Sequence, residues 1–179
     1  MNRRTLNKLI SLLPLGLLLK PIESQAKTYL TPDEARKIIW GDVQLTQSHV
    51  TLTKDQMRSI KKSSDTRVRH KLVRAWKVED KGWFILDEII GKHENIDIAV
   101  GLTNEGKVKG IEVLVYRETY GHEIRNEKWR AQFHGKDYTE VLRLDKQIKN
   151  IGGATLSCRH ITDGINRLTH TWDQVLRNQ

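Results

Sequence analysis

The stretch GWFILDEIIGKHENIDIAVGLTNEGKVKGIEVLVY (residues 82–116) decides the fold. It contains three runs of strand-forming residues with a period near two, residues 82–90, 96–102 and 107–116. Turn signals separate them, at Gly91 to Asn95 and at Asn104–Glu105–Gly106. Connections this short cannot carry a parallel crossover, so they predict antiparallel neighbours. Just upstream, VRHKLVRAWKV (68–78) has the same character and meets the first run across Glu79–Asp80–Lys81–Gly82. The expectation is one antiparallel sheet of four strands.

Helix signals flank this sheet. TPDEARKIIW opens with Thr31 as cap, Pro32 at the first helical position and Glu34 three residues after the cap, which predicts a helix over Pro32–Trp40. Thr53 and Gln56 form a second capping box in TKDQMRSIKK, while GDVQLTQSHVTL between the two reads as loop or extended chain. A short helix is expected from Asn126 to Phe133. Near the C-terminus Ile161, Ile165, Leu168, Trp172 and Val175 are spaced by four, three, four and three, one apolar stripe on a helix from about Ser157 to Leu176. The predicted class is α+β: an antiparallel sheet with helices packed on one side, closed by a C-terminal amphipathic helix.

Composition narrows the function classes. The chain has 179 residues, 37% hydrophobic and 30% charged, which is a globular balance. MNRRTLNK, the apolar run Leu9–Leu19 and the small residues Ser24 and Ala26 have the order of a secretory signal peptide over residues 1–26. An uncleaved anchor is the alternative, although the apolar run is short for a membrane span. NRRTLNK is also similar in part to a twin-arginine signal. The expected location is periplasmic or otherwise extracytoplasmic. Residues 1–26 carry four basic groups and one acid, so the net charge of +9 falls to +6 without them. Export and the scattering of charge argue against a nucleic-acid partner. The one basic cluster, Arg58 to Lys71, reads as a solvated face or a partner-docking patch. The single Cys158 excludes an internal disulfide, and no His or Cys pair has metal-ligand spacing, so no metal site is expected.

KNIGGATLSCRH (149–160) places two glycines, a small residue and two hydroxyls at the mouth of the last helix. A helix N-terminus carries unpaired N–H groups and positive partial charge, which suit an anion such as phosphate. A threonine or serine there equally suits an ordinary N-cap. Those residues alone leave both readings open.

Three segments in one order carry a resemblance. GGATLS resembles the Ser/Thr-Gly-Ala-Thr-x-Ser/Thr signature of the FMN-binding domain family, which includes subunits of sodium-translocating NADH:quinone reductases and Rnf-type electron-transport complexes. ETYGHEI (118–124) is similar to that family's Glu-Thr-Pro-Gly run, and WRAQFHGK (129–136) to its aromatic-x-x-Gln-Phe-x-Gly-Lys run. Gly152 stands where Ser or Thr is usual, Lys149 where an acid is typical, Tyr120 for proline and Glu123 for a second glycine.

The resemblance implies FMN as cofactor, joined through a phosphoester to Thr155 by a flavin transferase. Gly153 and Ala154 would keep the approach open, the N–H groups of Leu156 and Ser157 would face the phosphate, and Glu118, Thr119 and Gly121 would line the flavin. It further implies an exported electron carrier, rather than a catalyst with its own substrate, serving a membrane-bound redox partner. The rival expectations are a non-flavinylated sensor or binding module of the same fold, and a basic polyanion-binding protein. The domain is expected over residues 67–179, with 27–66 as an N-terminal helical segment packed on it.

Overall fold

The computed structural model describes residues 27–179; the export signal expected at 1–26 lies outside the described residues. The elements are β1 (Lys27–Thr28), α1 (Pro32–Trp40), β2 (Thr46–Gln47), β3 (Val50–Thr51), α2 (Lys54–Ser64), β4 (Leu72–Val78) and β5 (Gly82–Ile90). They continue with β6 (Asn95–Thr103), β7 (Val108–Tyr116), α3 (Glu127–Arg130) and α4 (Thr155–Gln174), with 3₁₀ turns at His122–Arg125, Ala131–Phe133 and Leu176–Asn178.

Both capping boxes form. The Thr31 N–H donates to Glu34 at 2.7 Å while the Thr31 hydroxyl accepts from the Glu34 N–H, and Thr53 and Gln56 do the same for α2. The four long strands pair antiparallel in chain order, β4–β5–β6–β7, and the short strands extend the edges to give the order β1–β7–β6–β5–β4–β2, with β3 also paired to β4. The expected α+β architecture with an antiparallel sheet and a C-terminal helix is therefore the one observed. β4 begins at Leu72 rather than Val68, because no neighbouring strand reaches past the Thr51–Leu72 pair. Val68 instead plugs the core from a loop whose other residues, Arg67, Arg69 and His70, are exposed.

Alternation along the strands sorts the core into two layers. Trp83, Ile85, Ile89, Ile96, Ile98, Val100 and Leu102 point to the face covered by α2 and α4. The predicted stripe Ile161, Ile165, Leu168, Trp172 and Val175 packs there and is almost wholly buried. At about 1.5–3 kcal/mol for each large apolar side chain buried, this layer is the main driving force of the fold. The helices are not all on this side. Ala35 and Ile39 of α1 pack on the opposite face with Val78, Phe84, Ala99 and Leu114.

The seat for α1 is a pair of glycines. Gly101 and Gly110 face each other across β6 and β7, and Ile39 lies over both. A Cβ at Gly101 would come within 2.5 Å of Ile39 Cγ2 and 3.0 Å of Trp40 Nε1; one at Gly110 would stay 3.3 Å from Ile39. Overpacking of this kind costs about 1–3 kcal/mol. Gly101→Val is therefore expected to lower unfolding stability by that amount in denaturant titrations, with Gly110→Ala much milder.

Candidate functional site

The first turn of α4 has no side-chain cap. Ala154 occupies the cap position, and the first helical bond runs from the Cys158 N–H to the Ala154 carbonyl at 2.9 Å. Thr155, Leu156 and Ser157 thus keep backbone N–H groups without an intrahelical acceptor. The helix starts two residues earlier than its apolar stripe suggests, and Thr155 is its first residue rather than its cap. Gly153 precedes it with a φ of 87°, the left-handed region that favours glycine, and its open side has no atom within 4 Å of an added Cβ.

The loop after β7 is bound to this helix end. Tyr116 donates its hydroxyl proton to the Tyr120 carbonyl, and the Ser157 hydroxyl lies 2.9 Å from the Tyr116 oxygen. Burial pushes the Tyr116 phenol above its ordinary value, so it remains a donor. Gly121 sits against this pair with a φ of 95°; a Cβ there would come within 2.5 Å of Ser157 Oγ and 2.6 Å of the Tyr116 oxygen. Its place is behind the cleft wall, as the residue that lets loop and helix touch.

Glu118 reaches the other way. Its Oε1 accepts from the backbone N–H of His93 at 2.5 Å and of Glu94 at 3.0 Å, clamping the β5–β6 turn. Burial acts to raise its carboxyl, but the donated N–H groups outweigh it and hold the group below the ordinary carboxylate range. Gly91 leaves the room for this: an added Cβ would lie 2.5 Å from the same oxygen.

A third set of contacts fixes the approach to the helix. Arg130 fastens α3 to β7 through the Ile111 carbonyl at 2.7 Å and a two-pronged pair with Glu112 at 2.9 Å. From this anchored turn, Trp129 Nε1 donates to the Lys149 carbonyl at 2.7 Å and Gln132 Oε1 accepts the Lys149 N–H at 2.7 Å. Both backbone groups of Lys149 are thereby taken. One residue on, Asn150 Nδ2 donates to Thr155 Oγ1 at 3.0 Å. Further back along the same segment, the buried Asn166 amide holds both backbone groups of Leu142 at 2.8 and 2.9 Å.

These pieces enclose a cleft of about 470 Å³ lined by Gly153 to Ser157, Glu118 to Tyr120, Lys92 and His93. That size lies within the range of small-molecule and cofactor sites. Anion-seeking groups crowd one end, the free amides of α4, while apolar side chains border the same space. Leu156 is 42% and Tyr120 81% exposed, and a flat ligand in the cleft would have both to pack against.

Residues 91–170 match the family model of the FMN-binding domain, a span that holds β6, β7, the three motif segments and most of α4. Over these residues the chain has the pattern of an FMN-binding domain. Its cofactor is FMN. No curated protein matches the chain.

The residues of this FMN-binding domain fit the cofactor. Helix-end amides offer donors to a phosphate, Lys92 adds a cation at the rim, and Tyr120 and Leu156 offer flat apolar contact. Of the residues expected from sequence, Thr155, Gly153, Ala154, Leu156, Ser157, Glu118 and Thr119 come together in the cleft, and Gly121 lies behind it. Ser157 faces inward to Tyr116, so its N–H rather than its hydroxyl is the group left for a ligand. Lys92, His93 and Asn150 carry no sequence motif: the first two lie in the Gly91–Asn95 turn, and no spacing marks a contact between Asn150 and Thr155 across five residues. Arg159 is exposed outside the cleft, and His160 lines a separate groove between α4 and the 65–70 loop. Cys158 is wholly buried and burial pushes its thiol up, which leaves it inert.

The Glu118 clamp sets a pH dependence. Because its carboxyl is held below the ordinary range when folded, it adds stability at neutral pH that is lost as pH falls through the lowered value. Glu118→Gln is expected to lower stability near pH 7 and to flatten the acid limb of a stability-versus-pH curve, with the two proteins converging once the pH has fallen past the lowered value.

Proposed function

We propose that this protein is an exported electron carrier that holds FMN as a phosphoester on Thr155 and exchanges electrons with a membrane-bound redox chain. The observation that carries the reading is the position of the Thr155 hydroxyl. It opens an uncapped helix, beside three free amides, in the cleft of an FMN-binding domain. A phosphate esterified there keeps its remaining charge against the amides of Leu156 and Ser157. The flavin supplies the redox chemistry; the protein orients it, covers one part and leaves an edge open to partners. A flavin transferase is the maturation partner this reading requires. Outside the cytoplasm a tether prevents loss of a cofactor that is not resupplied there, which agrees with the signal-like residues 1–26.

A non-flavinylated sensor or binding module of the same fold is the second reading. Gly152 and Lys149 favour it, since they change the residues ahead of Thr155 that a transferase meets.

The experiment is co-expression with a flavin transferase, followed by denaturing electrophoresis and intact mass. The expected result is a fluorescent band and an adduct of FMN less one water. Thr155→Ala is expected to abolish both while keeping the wild-type unfolding transition. An unmodified wild-type chain in the presence of active transferase would overturn the covalent reading.

A further inference from the structure

The Asn150 side chain is half satisfied. Its Nδ2 donates to Thr155 Oγ1 at 3.0 Å, while its Oδ1 is buried with no hydrogen-bond partner. Buried carboxamide oxygens nearly always have a partner, so an orphan beside a hydroxyl calls for an explanation. A carboxamide can turn over by 180° and exchange the places of its oxygen and nitrogen. In one orientation Asn150 donates to the Thr155 oxygen; in the other, Oδ1 accepts the Thr155 hydroxyl proton.

We infer that Asn150 is the positioning residue for Thr155, holding its hydroxyl as an acceptor before modification and its ester oxygen as a donor afterwards. The inference rests on the proposed phosphoester. Asn150 is itself held in register, because Trp129 and Gln132 occupy both backbone groups of the preceding residue. Fixing one oxygen in this way removes rotamers that point it away from the incoming phosphorus.

The step it serves is a phosphoryl substitution without change of oxidation state. Thr155 Oγ1 forms a bond to the phosphorus of the FMN half of a flavin dinucleotide. The pyrophosphate P–O bond breaks, a nucleoside monophosphate leaves, and the hydroxyl proton passes to a base of the transferase. Asn150 accepts a hydrogen bond during this exchange and takes up no proton.

The test measures initial rates of flavin attachment to wild type, Asn150→Ala and Asn150→Asp by intact mass, across pH 5 to 9, with unfolding midpoints recorded for each. Asn150→Ala is expected to slow attachment about tenfold or more at every pH, the size of one lost orienting hydrogen bond. Asn150→Asp keeps an acceptor, and an ordinary aspartate is ionised throughout this range, so it is expected to attach flavin at close to the wild-type rate at every pH where Asn150→Ala is slow. A purely structural role would not be rescued by the acceptor, because both variants would then slow together with their unfolding midpoints. Attachment to Asn150→Ala at the wild-type rate, or Asn150→Asp tracking Asn150→Ala at all pH values, would overturn the inference while leaving Thr155 as the attachment site. If Asn150→Ala folds poorly, the Asn150→Asp profile against wild type decides alone. An unmodified wild type overturns both claims together.

Discussion

A helix can offer its first amides to a ligand only if its own chain leaves them uncapped, and an uncapped end must be held by something else. The N-terminus of α4 meets both conditions. No side chain closes the amides of Thr155, Leu156 and Ser157, although α1 and α2 are each closed by a full capping box. A missing cap costs roughly 1 kcal/mol, and a phosphate is the kind of group that recovers it.

What holds the open end is a set of side chains that bind backbone. Ser157 and Tyr116 join the helix to the 117–121 loop, Glu118 joins that loop to the β5–β6 turn, and Trp129 and Gln132 grip Lys149 ahead of the glycines. Each such bond contributes about 0.5–1.5 kcal/mol net, but leaving one of these buried groups unpaired costs more. Their main effect is positional. The three segments that resemble the FMN-binding family are distant in sequence; Trp129 and Gln132 of the second hold Lys149 ahead of the third, and Tyr116 links Ser157 of the third to Tyr120 of the first.

Features set by neighbouring residues are legible in the sequence, and those set by strand register are not. Capping boxes, the alternating strands and the apolar stripe of α4 are local patterns, and each appears close to where its period or spacing put it, with β4 starting later, at Leu72, and α4 earlier, at Thr155. Thr155, Gly153 and Glu118 were legible because their motifs are contiguous. Other features depend on register. Only the pairing of Gly101 with Gly110 reveals a flat seat for Ile39, so the placing of α1 on the second face had no sequence signal. Lys92 and His93 reach the cleft because Glu118 folds their turn over it, a contact spanning 25 residues. The WRAQFHGK segment was recognisable as a motif, yet its work, holding Lys149, was visible only in three dimensions.

The central claim is that FMN seats its phosphate on the open end of α4. Backbone amide spectra of ¹⁵N-labelled protein, with and without flavin, test it most directly. The account predicts that the largest shifts fall on Thr155, Leu156 and Ser157, with smaller ones at Lys92, His93 and Tyr120. Unchanged resonances at the helix end, with the largest shifts in the groove between the 65–70 loop and α4, would contradict it.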